Sequence, residues 1–147
     1  MVKMKNILIN ISIILNFGFS TTYLVPDDYN SIQGAIEVSS NGDSIIVSPG
    51  QYFENIDFLG KEILVTSLYE ANDDLTVIGL TIIDAGDDGS VATFKNNETN
   101  NSVLQGFTLK NGIGNSQDPD GNGSFYTYGG GVYCESSLHK EIESEYL

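Results

Sequence analysis

The chain contains no arginine: all six of its basic residues are lysines, against 20 aspartate and glutamate residues, and its formal net charge is −14. Nucleic-acid binding depends on clustered cations that neutralise phosphates, so this composition excludes it as the expected function. A single cysteine cannot form an internal disulfide or a Cys-x-x-Cys pair. The single histidine excludes any site that needs two imidazoles from this chain.

What remains is sufficient for a small folded domain. A length of 147 residues fits one modest domain rather than two. Because 40% of the residues are hydrophobic, the chain can bury a core, and general disorder is not expected.

The first twenty residues have the pattern of a secretory signal peptide. Lys3 and Lys5 precede an apolar run over residues 7–19, and Gly18 and Ser20 occupy the −3 and −1 positions of a cleavage site after Ser20. The run is shorter than the roughly 20 apolar residues that a spanning helix needs. We expect residues 1–20 to be a signal peptide and the protein to be secreted or held at the cell surface. A buried N-terminal helix or a membrane anchor is the alternative.

One helix is expected after this segment. The apolar residues within 32–36 recur at helical spacing, and Asn30 or Ser31 can provide the N-cap. Gly42 suits a left-handed cap at the C-terminal end.

Short β-branched runs between Gly, Asn and Asp turns make up the rest of the pattern. They predict main strands over 45–47, 63–66, 81–83, 103–109 and 132–134, and minor strands over 52–58 and 91–95. The first four main strands start 18, 18 and 22 residues apart, and a polar insertion over 114–128 delays the fifth. Regular steps near 20 residues without intervening helices are typical of a solenoid, here of about five coils with parallel strands.

Several segments carry a family resemblance in the expected order. They are VPDDYNSIQGAI at 25–36, GDSIIVSPGQYFENI at 42–56, GKEI at 60–63, IIDAG at 82–86, GFTLKNG at 106–112 and GGGVYC at 129–134. Over residues 23–137 the chain resembles the N-terminal part of right-handed parallel β-helix proteins of the pectin-lyase-like superfamily. The resemblance implies an all-β fold in which a short N-terminal helix closes the first coil.

Alternation along the strands predicts the interior. We expect it to be filled by the pairs Ile45/Val47, Ile63/Val65 and Phe107/Leu109. The same alternation places Cys134 on the face of Val132, as a small buried hydrophobic residue.

No catalytic residue is assigned. The resemblance implies lyases and esterases that depend on arginine, which is absent, and hydrolases with several carboxylates in neighbouring coils. Asp84, Asp87 and Asp88 come nearest to such a group, but Asp and Gly are also selected by turns. We favour the structural interpretation of this cluster.

A loop within the insertion has part of a calcium-binding pattern. Asp118, Asp120 and Asn122, followed by Gly123, match the first half of a calcium loop, but Gly129 stands where a bidentate Glu is expected. These residues predict a weak calcium site; a solvated loop of turn formers is the alternative.

Aromatic residues are concentrated just after that loop. Phe125, Tyr126 and Tyr128 can stack on sugar rings, or can pack down on the flank of the solenoid. The first interpretation predicts a carbohydrate-binding surface.

The last ten residues break the pattern. We expect residues 21–137 to form the β-helix and residues 138–147 to be an atypical tail from a truncated or frame-shifted chain, or else a short helical cap.

Two functions stay open. One is an exported module without a catalytic site that binds polysaccharide or a cell-surface partner. The other is the N-terminal part of a polysaccharide lyase or glycoside hydrolase whose catalytic coils lie beyond residue 147.

Overall fold

The structure, a computed structural model, describes residues 19–69, 75–117 and 126–135. In these ranges short strands predominate over two short helices, which agrees with the prediction of an all-β chain. The helices are α1 (Ile32–Val38) and α2 (Thr76–Leu80). Neither has the length and apolar content that crossing a membrane requires. The strands are β1 (Thr22–Val25), β2 (Ser44–Val47), β3 (Gly50–Phe53), β4 (Ile56–Asp57), β5 (Leu64–Ser67), β6 (Thr81–Asp84), β7 (Ala92–Phe94), β8 (Val103–Gln105), β9 (Thr108–Lys110), β10 (Asn115–Gln117), β11 (Tyr126–Tyr128) and β12 (Val132–Cys134).

Ten of these strands form three parallel sheets. Sheet A has the order β1-β2-β5-β8, sheet B the order β3-β6-β9, and sheet C the order β4-β7-β12. From β2 onward the described chain enters sheets A, B and C in that order three times. The antiparallel pair β10-β11, which accounts for the predicted insertion, interrupts the third passage before β12. Each passage therefore lays one new strand on each sheet.

The predicted equivalence of the four regularly spaced strands is wrong. β2, β5 and β8 begin at residues 44, 64 and 103 and pair with one another, but β6, which begins at 81, belongs to sheet B. The segment between β5 and β6 contains α2, and this insertion produces an 18-residue step that is not a repeat. The described residues make three complete passages, and β1 adds a fourth strand to sheet A; about five coils were expected. The predicted strand over 103–109 is also divided in two at Gly106, whose φ is +78°.

Alternating side chains fill the space between the sheets. The predicted interior residues Ile45, Val47, Ile63 and Val65 are each at most 1% exposed. Phe107 and Leu109 are only half-buried against this core, because they belong to the last described passage. Phe58, which directly follows β4, stacks on Phe94 of β7, with ring centroids 4.2 Å apart.

The prediction that Cys134 is buried is wrong. Cys134 is exposed, whereas its neighbour Tyr133 is 8% exposed. β12 is the last strand of sheet C, so the side chain that pairs in register with Phe94 has no further described strand to cover it. Desolvation raises the pKa of the Cys134 thiol and the charge of Glu98 raises it further, which disfavours a reactive thiolate.

Helix α1 covers the first passage, as expected. Ser31 is its N-cap and accepts a hydrogen bond from the Gly34 N–H at 3.1 Å, and its apolar stripe is fully buried. The helix side chain Gln33 accepts a hydrogen bond from the Asp57 N–H at 2.8 Å, at the free edge of sheet C. The predicted cap at Gly42 is wrong: the helix ends at Val38 with Ser39 as its C-cap, and Gly42, with φ of +91°, lies in the turn before β2.

Candidate functional site: a polar groove on sheet C

The outer face of sheet C carries polar side chains. Ile56 and Ala92 pair in register and point into the core, so the next residues, Asp57 and Thr93, point outward. Tyr133 pairs with Thr93 and completes this outward row. Parallel strands lie about 4.8 Å apart, so the three side chains form one line across the sheet.

Beside this row is a shallow groove of about 320 Å³. Its lining is polar except for one isoleucine, and it joins the outer face of sheet C to the turn between sheets B and C. The lining residues are Asn55, Ile56, Asp57, Asp88, Gly89, Ser90, Thr93, Lys95 and Asn115.

Two asparagines fix the turn end of the groove. Asn55 donates from Nδ2 to the carbonyl oxygens of Asp88 (2.6 Å) and Ser90 (2.8 Å). Asn115 donates from Nδ2 to the Ser90 Oγ at 2.9 Å. These bonds use the amide nitrogens and leave the two Oδ1 atoms as acceptors. The exposed Asp88 carboxylate accepts no hydrogen bond from the described residues.

An ion pair lies at the other end. Lys95 Nζ is 3.2 Å from Asp57 Oδ2. The other oxygen, Oδ1, accepts hydrogen bonds from the Leu59 N–H at 2.8 Å and from Asn96 Nδ2 at 3.2 Å. The Asp57 carboxylate is therefore held in place, and the positive charge of Lys95 is partly neutralised.

Thr93 supplies the most informative group. It is 8% exposed and lines the groove, yet its hydroxyl forms no hydrogen bond within the described part of the chain. Buried hydroxyls are normally paired, because leaving one unpaired costs about 1–3 kcal/mol. A hydroxyl in this position can donate to, or accept from, a bound group.

Together these side chains offer mixed donors and acceptors. Lys95 and Thr93 donate, and the amide and carboxylate oxygens of Asn55, Asn115 and Asp88 accept. A ligand with many hydroxyls matches that mixture, whereas an apolar ligand does not. Within 19–69, 75–117 and 126–135, no group of three or more His, Cys, Asp or Glu side chains is placed to hold a metal ion.

One of the predicted carbohydrate-binding residues lies beside the groove. Tyr128 is 42% exposed and is directly opposite Asn115 in the β10-β11 pair, so the two side chains share a face of the hairpin. Tyr126 belongs to β11, but its side chain lies outside the described residues, as does Phe125. The predicted calcium ligands, Asp118, Asp120 and Asn122, also lie outside them.

The terminal predictions fall outside the described ranges in the same way. Residues 1–18 of the predicted signal peptide and the predicted tail at 138–147 are not among the described residues.

The aspartates considered as a carboxylate cluster separate into different environments. Asp84 is 3% exposed and accepts hydrogen bonds from Gln51, Gly86 and Asn111 at 2.7, 3.0 and 2.8 Å. The Gly86 N–H is the main cause that lowers the pKa of Asp84, helped by the two amide side chains and Lys110 and opposed by burial. Asp87 is exposed in a turn with φ of +61°. This arrangement favours the structural interpretation of Asp84.

Sequence reasoning missed Asp57, Thr93 and Lys95. The signal was present in the two minor strands, where polar residues alternate with Ile56, Phe58, Ala92 and Phe94. Alternation of this kind marks one face as outward.

No known protein family, curated protein or solved structure matches this chain.

Proposed function

We propose that the chain is an exported right-handed parallel β-helix module that binds an uncharged polysaccharide in the groove on sheet C. The repeated order of sheets A, B and C supports the β-helix, since each passage adds one parallel strand to each sheet. Connections between parallel strands of one sheet are almost always right-handed, which supports the handedness. The cover that α1 provides over the first passage supports its role as the N-terminal cap.

The Thr93 hydroxyl, which has no hydrogen-bond partner among the described residues, is the observation that carries the binding proposal. It lies in a groove of hydrogen-bonding side chains, next to an exposed tyrosine that can stack on a sugar ring. A sugar hydroxyl in the groove would complete its hydrogen bonding.

Charge favours an uncharged glycan over a polyuronate. Lys95 is the one cation lining the groove, and it is already paired with Asp57, while Asp88 adds a second carboxylate. The chain as a whole carries −14. An acidic polymer would meet repulsion both in the groove and over the whole surface.

Affinity electrophoresis of the purified protein through gels containing soluble glucan, mannan, xylan or polygalacturonate tests this function. We expect retardation by at least one uncharged polymer and less by polygalacturonate. Thr93→Val and Tyr128→Ala should each lower the affinity for that polymer, calculated from the retardation, about five- to tenfold, since each removes one contact of about 1 kcal/mol. Thr22→Val on sheet A is the matched control and should behave as the wild type. Equal migration in all four gels would overturn the proposal.

The N-terminal part of a polysaccharide-cleaving enzyme is the alternative proposal. Release of reducing ends or unsaturated products by the purified chain, above a heat-inactivated control, would favour it over a binding module. Asp57→Asn and Asp88→Asn would then identify whether the two carboxylates in the groove take part.

A further inference from the structure

The start of sheet A is held by a buried carboxylate. The Thr21 N–H donates to Asp43 Oδ1 at 2.7 Å, and the Ser40 N–H donates to Oδ2 at 2.8 Å. Asp43 is 5% exposed, and no cation pairs with it among the described residues. Two backbone N–H groups therefore hold this carboxylate, and no full positive charge among the described residues balances it.

The surroundings of this carboxylate are also acidic. Asp43 lines a groove of about 260 Å³ whose other charged residue is Glu62. No lysine lines it. The Thr21 nitrogen, 2.7 Å from Asp43 Oδ1, is therefore placed where the Asp43 carboxylate would stabilise a positive charge.

The bond before Thr21 is open to solvent. Phe19 is 89% exposed and Ser20 is exposed, whereas the Thr21 carbonyl accepts a hydrogen bond from the Ser44 N–H at 2.9 Å. Ser20 Oγ also donates to the Gly42 carbonyl at 2.7 Å, so the described chain joins the edge of sheet A at Ser20 and Thr21 while both residues remain exposed.

The geometry points to a processing-dependent ion pair: once the leader is cleaved after Ser20, the new α-ammonium of Thr21 pairs with the buried Asp43 carboxylate. This inference rests on the proposed export. A peptidase adds one water across the Ser20–Thr21 peptide bond, leaving a carboxylate on Ser20 and an ammonium on Thr21. The nitrogen that donated as an amide then donates as a cation from the same position, and charge-assisted bonds are stronger than neutral ones. The mature form is consequently more stable than the precursor.

The test compares two forms of the chain from Thr21 to Leu147, one with a free α-amine and one Nα-acetylated. The acetyl group restores the amide donor but removes the charge, so only the ion pair differs. We expect the free-amine form to melt about 3–6 °C higher at neutral pH, as a contribution near 1 kcal/mol implies for this chain length. In Asp43→Asn the difference should disappear. Equal melting temperatures, or a difference that persists in Asp43→Asn, would overturn the inference.

A second measurement needs no variant, in case Asp43→Asn does not fold. The Thr21 α-amine of the folded chain from Thr21 to Leu147 should react at least tenfold more slowly with acetic anhydride at neutral pH than the α-amine of a peptide covering residues 21–28. An equal rate would contradict the ion pair. Mass spectrometry of the exported protein separately tests cleavage after Ser20, and glycan binding is tested independently, so each proposal fails on its own measurement.

Discussion

Glu54 and Lys61 bind opposite ends of helix α1. The Glu54 carboxylate accepts hydrogen bonds from the N–H groups of Ile32 (2.9 Å) and Gln33 (2.8 Å). Lys61 Nζ donates to the carbonyl oxygens of Ile36, Glu37 and Ser39 at 2.6, 2.8 and 2.8 Å. The signs match the helix dipole, with the anion at the N-terminus and the cation at the C-terminus.

Removing the cation should release the end of this helix. Lys61→Met keeps the aliphatic stem but leaves the carbonyls of Glu37 and Ser39 without a described donor, whereas the Ile36 carbonyl keeps its bonds from Ser39. We therefore expect the free energy of unfolding to fall by about 1–3 kcal/mol in urea titrations. The exposed Lys110→Met is the control and should change it by less than about 0.5 kcal/mol. Equal losses for the two variants would show that Lys61 does not secure α1.

Because the Thr93 hydroxyl has no partner in the described part of the chain, removing it should affect stability differently from removing the Thr81 hydroxyl. The Thr81 hydroxyl is buried and donates to the Val77 carbonyl at 2.9 Å, so Thr81→Val should lower the free energy of unfolding by about 1 kcal/mol. Thr93→Val removes a buried hydroxyl that has no described partner, so stability should be unchanged or higher. Calorimetry of the two variants checks this, and a clear loss in Thr93→Val would mean that its hydroxyl is paired in the free protein.

Close backbone contact between Gly112 and Gly130 predicts that a side chain at Gly112 destabilises the fold. A Cβ on Gly112 would overlap the carbonyl oxygen of Gly130, and a Cβ on Gly130 would lie 2.7 Å from the carbonyl oxygen of Gly112. Gly112→Ala should therefore lower the melting temperature by about 6 °C or more, a loss of 2 kcal/mol or greater. Gly79→Ala in α2 meets open space and should be neutral or stabilising. Similar melting temperatures for both variants would contradict the packing.

The lowered pKa of Asp84 predicts that the free energy of unfolding falls at acid pH. The native carboxyl binds its proton less tightly than the unfolded chain does, so its contribution is complete above the unfolded pKa of about 3.9 and is lost as pH falls through the lower native value. Asp84→Asn should flatten the decline in stability below pH 4, measured by urea unfolding at several pH values. Asp87→Asn, at the exposed residue immediately after Gly86, should retain the wild-type slope. Parallel slopes for all three proteins would contradict this role.

Local periodicity was sufficient to predict helix α1, most strands of the three sheets and much of the core, but not helix α2. Alternation identified Ile45, Val47, Ile63 and Val65. Helix chemistry left Asn30 and Ser31 as N-cap candidates, and Ser31 is the N-cap. Periodicity could not predict which strands pair. The segment that contains α2 separates β5 from β6 by about the length of a repeat, but β6 pairs with β3 and β9 in sheet B and not with β5.

The candidate site was less accessible from the sequence. Asn55, Asp88 and Asn115 are separated along the chain and meet only because successive turns stack. Thr93 is important because its hydroxyl has no partner among the described residues, and no sequence pattern predicts that. The exposure of Cys134 likewise depends on where the described sheet ends.

An NMR titration of the ¹⁵N-labelled protein with uncharged hexasaccharides of glucose, mannose and xylose tests the central claim most directly. The account predicts saturable shifts in the amides of Asp57, Thr93 and Asn115, with little change at Gln51, Ile82 and Thr108 on sheet B, and no saturation in Thr93→Val over the same range. Shifts confined to sheet B, or none with any of the sugars, would contradict a glycan site in the groove on sheet C.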